Sequence, residues 1–329
     1  MSFTSFRRPG HDALRRVAAA STLLALTVPV PAQAQSITPR AAPGVLSNHV
    51  VHCDGRPRAV QLYLPSNYAT LPPMPVVFAF HGGGLNSQSM SNGNAGIGDA
   101  AERHGFIAVY PNGVPTSPAE PDKLNWRDDE VVFIDCLMGI VRGALRTNPR
   151  RYYAVGFSAG GKVAYQLAAD PVTAAKIAAI ATSSSVAGKK PTSPPSSAWA
   201  IVDPTLATVS QVRGAAARVP SNVSAMLLQG ALDPKHSVGG GYSPASNDIN
   251  FSFQMTVDLF RLSVQADVEH QLAIPGVPAR CEVKEYSSTA NRYKVVSILD
   301  PDMGHEWPTK QNWPYMEVIW AFFGLVPTR

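Results

Sequence analysis

The run Tyr152-Tyr153-Ala154-Val155-Gly156-Phe157-Ser158-Ala159-Gly160-Gly161 passes from apolar, β-favouring residues to a serine set among glycines, and the helix-like Lys162–Ala169 follows. Strand, sharp turn and helix are expected in that order. Gly156, Ser158 and Gly160 spell Gly-x-Ser-x-Gly, the pattern of a strained turn that lifts a serine hydroxyl off a sheet edge. Glycine is needed on both sides because a side chain there would strike the neighbouring strand or helix. The turn also sets Ser158 at a helix N-terminus, where unpaired N–H groups and the dipole favour negative charge. An oxyanion forming beside Ser158 would be stabilised there.

Two other readings compete. Gly156 to Lys162 fits the first seven positions of the phosphate-binding pattern Gly-x-x-x-x-Gly-Lys-[Ser/Thr], but the eighth is Val163, which has no hydroxyl for Mg²⁺. Small residues at these positions would also serve simply to pack a helix tightly on a strand. The rest of the chain weighs against both.

The chain has 329 residues and a formal charge of +5. Arg7, Arg8, Arg15 and Arg16 precede the apolar run Val17 to Val30, and Ala32-Gln33-Ala34 supplies small residues before Gln35. That is the pattern of a secretory signal peptide over residues 1–34, cleaved near Ala34-Gln35, and the mature chain is expected outside the cytoplasm, secreted or periplasmic. As a membrane span the run is too short. Cleavage removes four arginines and Asp12 and leaves a charge of +2, without a Lys/Arg block or basic-aromatic interleaving that would argue for nucleic acid. Cys53, Cys136 and Cys281 allow one disulfide and one thiol in an exported protein, and spacing does not choose the pair. No Cys-x-x-Cys occurs. His49 and His52 fall on opposite faces of a strand, so neither metal nor cofactor is expected.

Residues 35–46 read as a flexible leader and 47–329 as a single domain. Val50–Cys53 and Ala59–Leu64 flank Asp54-Gly55, a hairpin signal. Val76–Phe80 is an unbroken apolar run suited to a strand covered on both faces, and it ends in His81-Gly82-Gly83-Gly84. Acyl transfer needs two backbone donors aimed at the developing oxyanion; one follows the nucleophile, here Ala159, and the second belongs to a glycine-rich loop of this kind, here Gly83. His81 reads as a structural histidine of that loop. Ile97–His104 is helical and stopped by Gly105, Phe106–Tyr110 is the next strand, and a proline-rich loop leads through Pro115, Pro118 and Pro121 to Trp126. A helix near Val132–Leu145, ended by Asn148-Pro149, precedes the serine turn. Ile177–Ala181 and Ser224–Gly230 are further strands, with a lid or insertion expected over residues 183–222. Glu282–Tyr286 and Tyr293–Leu299 are two more, and Tyr315–Phe323 is the last helix. The alternation of strands and helices predicts an α/β fold with a mainly parallel central sheet flanked by helices, and an antiparallel hairpin at its N-terminal side.

Asp233 follows a strand directly, and His305 stands on a loop between Gly304 and Pro308 before the last helix. The chain order Ser158, Asp233, His305 is that of serine, acid and base on one sheet edge. Rival acids are Asp203, Asp248, Asp300 and Asp302; rival bases are His236 and His270, the latter in a predicted helical region. Trp126, Trp199 and Trp307 are candidates for the substrate cleft.

On Asp54-Gly55-Arg56, Phe80-His81-Gly82-Gly83-Gly84, Tyr110-Pro111-Asn112-Gly113, Gly156–Gly161, Gln229-Gly230-x-x-Asp233 and Gly304-His305-Glu306-Trp307-Pro308, the chain resembles the polyhydroxybutyrate depolymerase and feruloyl esterase branch (carbohydrate esterase family 1-like) of the α/β-hydrolases, including related poly(aspartic acid) hydrolases. The resemblance spans about Val50 to Phe323. It implies an α/β-hydrolase fold, Ser158, Asp233 and His305 as triad, the Gly83 and Ala159 amides as oxyanion hole, and carboxylic esters, polymeric or small, as substrates. Lys162, Lys189, Lys190 and Lys235 would suit an acidic polymer, which makes an amide hydrolase of polyaspartate one alternative; a non-catalytic polymer-binding protein on the same scaffold is another.

Overall fold

The computed structural model describes residues 41–53, 55–127, 129–189, 222–243, 248–311 and 313–329. The signal-peptide reading, residues 35–40 of the leader, Trp199, Asp203 and most of the 183–222 insertion lie outside them.

In chain order the strands are β1 (Leu46–Cys53), β2 (Arg56–Tyr63), β3 (Met74–Phe80), β4 (Ile107–Pro111), β5 (Val114–Ser117), β6 (Glu120–Asn125), β7 (Thr147–Phe157), β8 (Ile177–Ser183), β9 (Gly188–Lys189), β10 (Ser224–Gly230), β11 (Gly241–Ser243), β12 (Asp248–Asn250), β13 (Val268–Gln271), β14 (Glu282–Ser287) and β15 (Lys294–Asp300). The helices are α1 (Gln88–Ser91), α2 (Ile97–His104), α3 (Glu130–Ala144), α4 (Ala159–Ala169), α5 (Pro171–Ala174), α6 (Phe253–Ser263) and α7 (Tyr315–Leu325).

β3, β4, β8 and β10 are buried along their whole lengths, as runs without polar alternation must be: both faces need cover. They lie in a sheet of order β1-β2-β4-β3-β7-β8-β10-β15-β14-β13. From β4 to β15 all neighbours are parallel. The pairs β1–β2, β2–β4, β15–β14 and β14–β13 are antiparallel. Alternation along β3 feeds two cores: Phe78 and Phe80 pack with Leu137 of α3, Tyr165 of α4 and Phe260 of α6, while Val77 and Ala79 join Ile97 of α2 and Ile319 and Phe323 of α7. No helix among the described residues is long and apolar enough to cross a membrane.

Three local expectations are corrected. Asn148-Pro149, expected to end the helix ahead of the strand, lies inside β7, and α3 has already ended at Ala144; the β3–β7 register shifts between Met74 and Val76, and an irregular stretch of pairing tolerates a residue without an N–H. The proline-rich loop contains the antiparallel ribbon β5–β6, whose exposed edges spare its prolines any lost hydrogen bond. His270 belongs to β13, an exposed edge strand held by its backbone pairing to β14, not to a helix.

Cys53 and Cys136 form a disulfide that ties the end of β1 to α3, and Cys281 is free. The bridge closes 83 residues of chain, so its loss should release considerable entropy to the unfolded state. Cys53→Ser or Cys136→Ser is expected to lower stability by about 2–5 kcal/mol, read as a fall in denaturant midpoint that reductant reproduces in the native chain.

Candidate active site

The serine turn is built as its glycines require. Ser158 joins β7 to α4 with φ 54° and ψ −118°, a conformation costly for a residue with a Cβ. A Cβ on Gly156 would come 2.2 Å from the Gly160 carbonyl oxygen, and one on Gly160 would come 2.2 Å from the Phe80 carbonyl oxygen. Glycine is therefore imposed by the approach of α4 to two strands, and that approach holds the Ser158 hydroxyl at the carboxyl edge of the sheet. Lys162, which the phosphate-loop reading needs, donates instead to Asn250 Oδ1 at 3.1 Å.

Two loops from neighbouring strands deliver the partners. Asp233 lies just past β10 and His305 just past β15. They are laced together where Ala231 N–H donates to the Asp300 carbonyl (2.9 Å) and Leu232 N–H to that of Met303 (3.0 Å). Ser184, at φ 49°, clamps the histidine loop: Glu306 N–H donates to its hydroxyl (3.0 Å) and the hydroxyl donates back to the Glu306 carbonyl (2.8 Å). His305 Nε2 then stands 2.8 Å from Ser158 Oγ, and its Nδ1 stands 2.8 Å from Asp233 Oδ2. Serine, imidazole and carboxylate form one connected relay.

The carboxylate is well satisfied. Asp233 Oδ1 accepts from the backbone N–H groups of Lys235 (2.8 Å) and His236 (2.9 Å), and Oδ2 also accepts from Gln229 Nε2 (3.0 Å). Burial alone would raise the Asp233 pKa, but the bonds from His305 and the two backbone donors outweigh it and hold the pKa below the ordinary carboxylate value. The rival acid Asp300 is engaged by Arg280 at 2.8 and 2.7 Å.

On the other side of the serine, a Cβ on Gly83 would lie 3.5 Å from Ala159 Cβ, so the glycine loop sits directly against the start of α4. Neither the Gly83 nor the Ala159 N–H donates to an acceptor among the described residues. The loop is braced from beneath by His81, whose Nε2 accepts from Gly113 N–H (3.0 Å) and whose Nδ1–H donates to the Gly82 carbonyl (2.8 Å).

Trp126 and Trp307 take up core positions instead of open cleft. Each is 8% exposed; the Trp126 indole N–H donates to the His81 carbonyl (2.7 Å) and that of Trp307 to the Ala95 carbonyl (3.3 Å). A buried indole must find an acceptor for its N–H, and both found one inward. Ser183 is the last residue of β8, and Ser184 to Ala187 after it are buried. The part played by Ser184 carried no periodic or motif signal; the run Thr182-Ser183-Ser184-Ser185 reads as ordinary polar loop.

The rival base His236 is buried beside His305, their ring centroids 5.2 Å apart, with its Nδ1–H donating to the Ser184 carbonyl (2.8 Å). Asp233, His236 and His305 offer metal-ligand atoms within 4.8 Å of one another. Two of the three already bond each other, and the positive charge of Lys162 acts on His236, so the arrangement suits a proton relay better than a cation.

A serine raised on this turn above a mainly parallel sheet, with partners from the next strands' loops, defines the α/β-hydrolase fold. The chain belongs to the Esterase family (“Putative esterase”), whose profile matches residues 53–219, just over half of its length. It is 34% identical over 146 residues to “Putative esterase NocK” of Nocardia uniformis subsp. tsuyamanensis, covering 43% of this chain and 40% of that one. It is also 30% identical over 128 residues to feruloyl esterase C of Emericella nidulans, covering 37% and 44%. The match thus spans less than half the length of these curated relatives. Among solved structures, the acetyl xylan esterase from Aspergillus awamori superposes with a TM-score of 0.59 at 15% identity, covering 85% of this chain and 100% of that one. An S-formylglutathione hydrolase from Agrobacterium tumefaciens gives 0.51 at 15%, covering 84% and 93%.

Proposed function

We propose that the mature chain is an exported serine hydrolase of carboxylic esters, of feruloyl or hydroxyalkanoate type, working through an acyl-enzyme. The observation that carries this is the relay Asp233–His305–Ser158, each contact 2.8 Å, next to the Gly83 and Ala159 N–H groups, which donate to no acceptor among the described residues. His305 Nε2 takes the Ser158 proton as Oγ attacks the ester carbonyl carbon; Asp233 holds the Nδ1 proton and stabilises the imidazolium. The carbonyl oxygen, now negative, receives the Gly83 and Ala159 N–H groups and lies at the N-terminus of α4. Collapse of the tetrahedral species passes the proton from His305 to the leaving alcohol. Water, deprotonated by the same imidazole, then releases the acid.

Family membership and the names of the relatives support ester chemistry, and the sequence of residues 1–34 supports export. The test is stoichiometric labelling of Ser158 by a serine-directed phosphonate, with kcat/KM compared on hydroxybutyrate oligomers, methyl ferulate, acetylated xylan and polyaspartate. We expect full labelling and the highest kcat/KM on an ester. An unlabelled Ser158 would favour a binding protein, and polyaspartate as the best substrate would move the chemistry to amides.

A further inference from the structure

Gln229, the next-to-last residue of β10, is fully buried. Its side-chain nitrogen donates to Asp233 Oδ2 at 3.0 Å and to the His236 carbonyl at 2.8 Å, with the Gly230 carbonyl at 3.4 Å. Three acceptors surround that end of the amide, so only nitrogen can stand there. The amide oxygen is consequently left buried without a hydrogen-bond partner among the described residues. An unpaired buried acceptor is costly, and an apolar side chain of the same length would avoid it. What the amide adds is a donor on the carboxylate.

We infer that Gln229 is a positioning residue of the relay. Its N–H fixes Asp233 Oδ2, the oxygen that receives His305 Nδ1, and its bond to the His236 carbonyl closes the Asp233–His236 turn on the end of β10. This inference rests on the ester-hydrolase reading. A carboxylate oxygen shared between two donors directs less charge at either one; without Gln229 the whole of it faces His305. The imidazolium of the free enzyme is then favoured, and the acid limb of the kcat/KM profile moves to higher pH. The other titratable or charged groups around the pair are His236 in the turn, Lys162 of α4, the exposed Glu306 beside His305, and Asp300, which Arg280 engages.

The experiment compares native protein, Gln229→Met and Gln229→Glu, each checked for folding by thermal melting, on a small aryl ester from pH 5 to 9. Methionine keeps length and volume without a donor; glutamate keeps shape and puts a second carboxylate against the first. Gln229→Met should lower kcat about tenfold with KM within about twofold, and shift the acid limb up by roughly half a pH unit. Gln229→Glu should shift it further, by about one unit. A folded variant with native kcat and an unmoved acid limb overturns the inference. So does failure of both variants to fold, which would assign Gln229 to the core alone. A native chain with no ester turnover and no phosphonate labelling instead overturns the underlying reading of function.

Discussion

Ser158→Ala and His305→Ala are each expected to lower kcat on the best ester by roughly four to six orders of magnitude, with KM little changed. The two residues act through one 2.8 Å contact, so the double variant should be no worse than either single one. Asp233→Asn should cost about 10⁴-fold, and the local bonding says why. The backbone N–H groups of Lys235 and His236 both point at Oδ1, which keeps the oxygen of an asparagine on that side. Its NH₂ would take the place of Oδ2, where His305 Nδ1–H and the Gln229 amide already donate. To escape that clash His305 would carry its proton on Nε2, and an Nε2–H cannot accept from Ser158. Turnover numbers and burst amplitudes with an aryl ester measure all three. Near-native turnover in folded Ser158→Ala would end the serine mechanism, and near-native turnover in Asp233→Asn would remove Asp233 from the relay.

Most of the architecture was legible because it rests on short-range rules. Val76–Phe80 and Ser224–Gly230 have no polar alternation and so had to be covered strands, and Gly105, at φ 69°, ends α2 where a glycine stop was expected. The serine turn was readable because only glycine survives a carbonyl at 2.2 Å. The meeting of Ser158, Asp233 and His305 followed from strand-end logic once their order was known. What did not read out depends on partners distant in sequence. Trp126 and Trp307 looked like cleft residues until His81 and Ala95 supplied their acceptors, and Cys136 could be chosen over Cys281 only by the packing of α3 beside β1. β13 pairs by its backbone with little apolar pattern of its own, which is why His270 sat in an apparent helix.

Stability is expected to fall steeply as pH drops from about 6.5 to about 4, before most carboxylates titrate. His81 and His236 are both buried, and burial is the main cause that lowers each pKa to about 4; for His81 the Arg58 charge adds to it, and for His236 the Lys162 charge does. In the unfolded chain both titrate near the ordinary 6.5. A depressed histidine pKa means that, inside this window, the unfolded state binds protons that the folded state refuses, so each unit of acidification favours unfolding. Two such groups give a loss of several kcal/mol, on the order of 5 across the window. Asp233 and Asp300, whose pKa values are held below the ordinary 3.8, act in a separate and lower window, since their stabilisation disappears only as pH falls through their folded values. Urea midpoints at pH 7, 6, 5 and 4.5 measure the slope, and His81→Gln or His236→Asn should flatten it. A midpoint constant from pH 7 to 4.5 in the native chain would contradict the argument. Activity has its own reason to respond to the first of these histidines. Protonating His81 turns Nε2 from an acceptor of the Gly113 N–H into a donor facing it, so the hydrogen bond that braces the Gly83 loop is lost in whatever folded protein takes up that proton. Acid should therefore weaken binding of a transition-state-like phosphonate to the native protein more than to His81→Gln, a difference that protonation of His305, common to both, cannot produce.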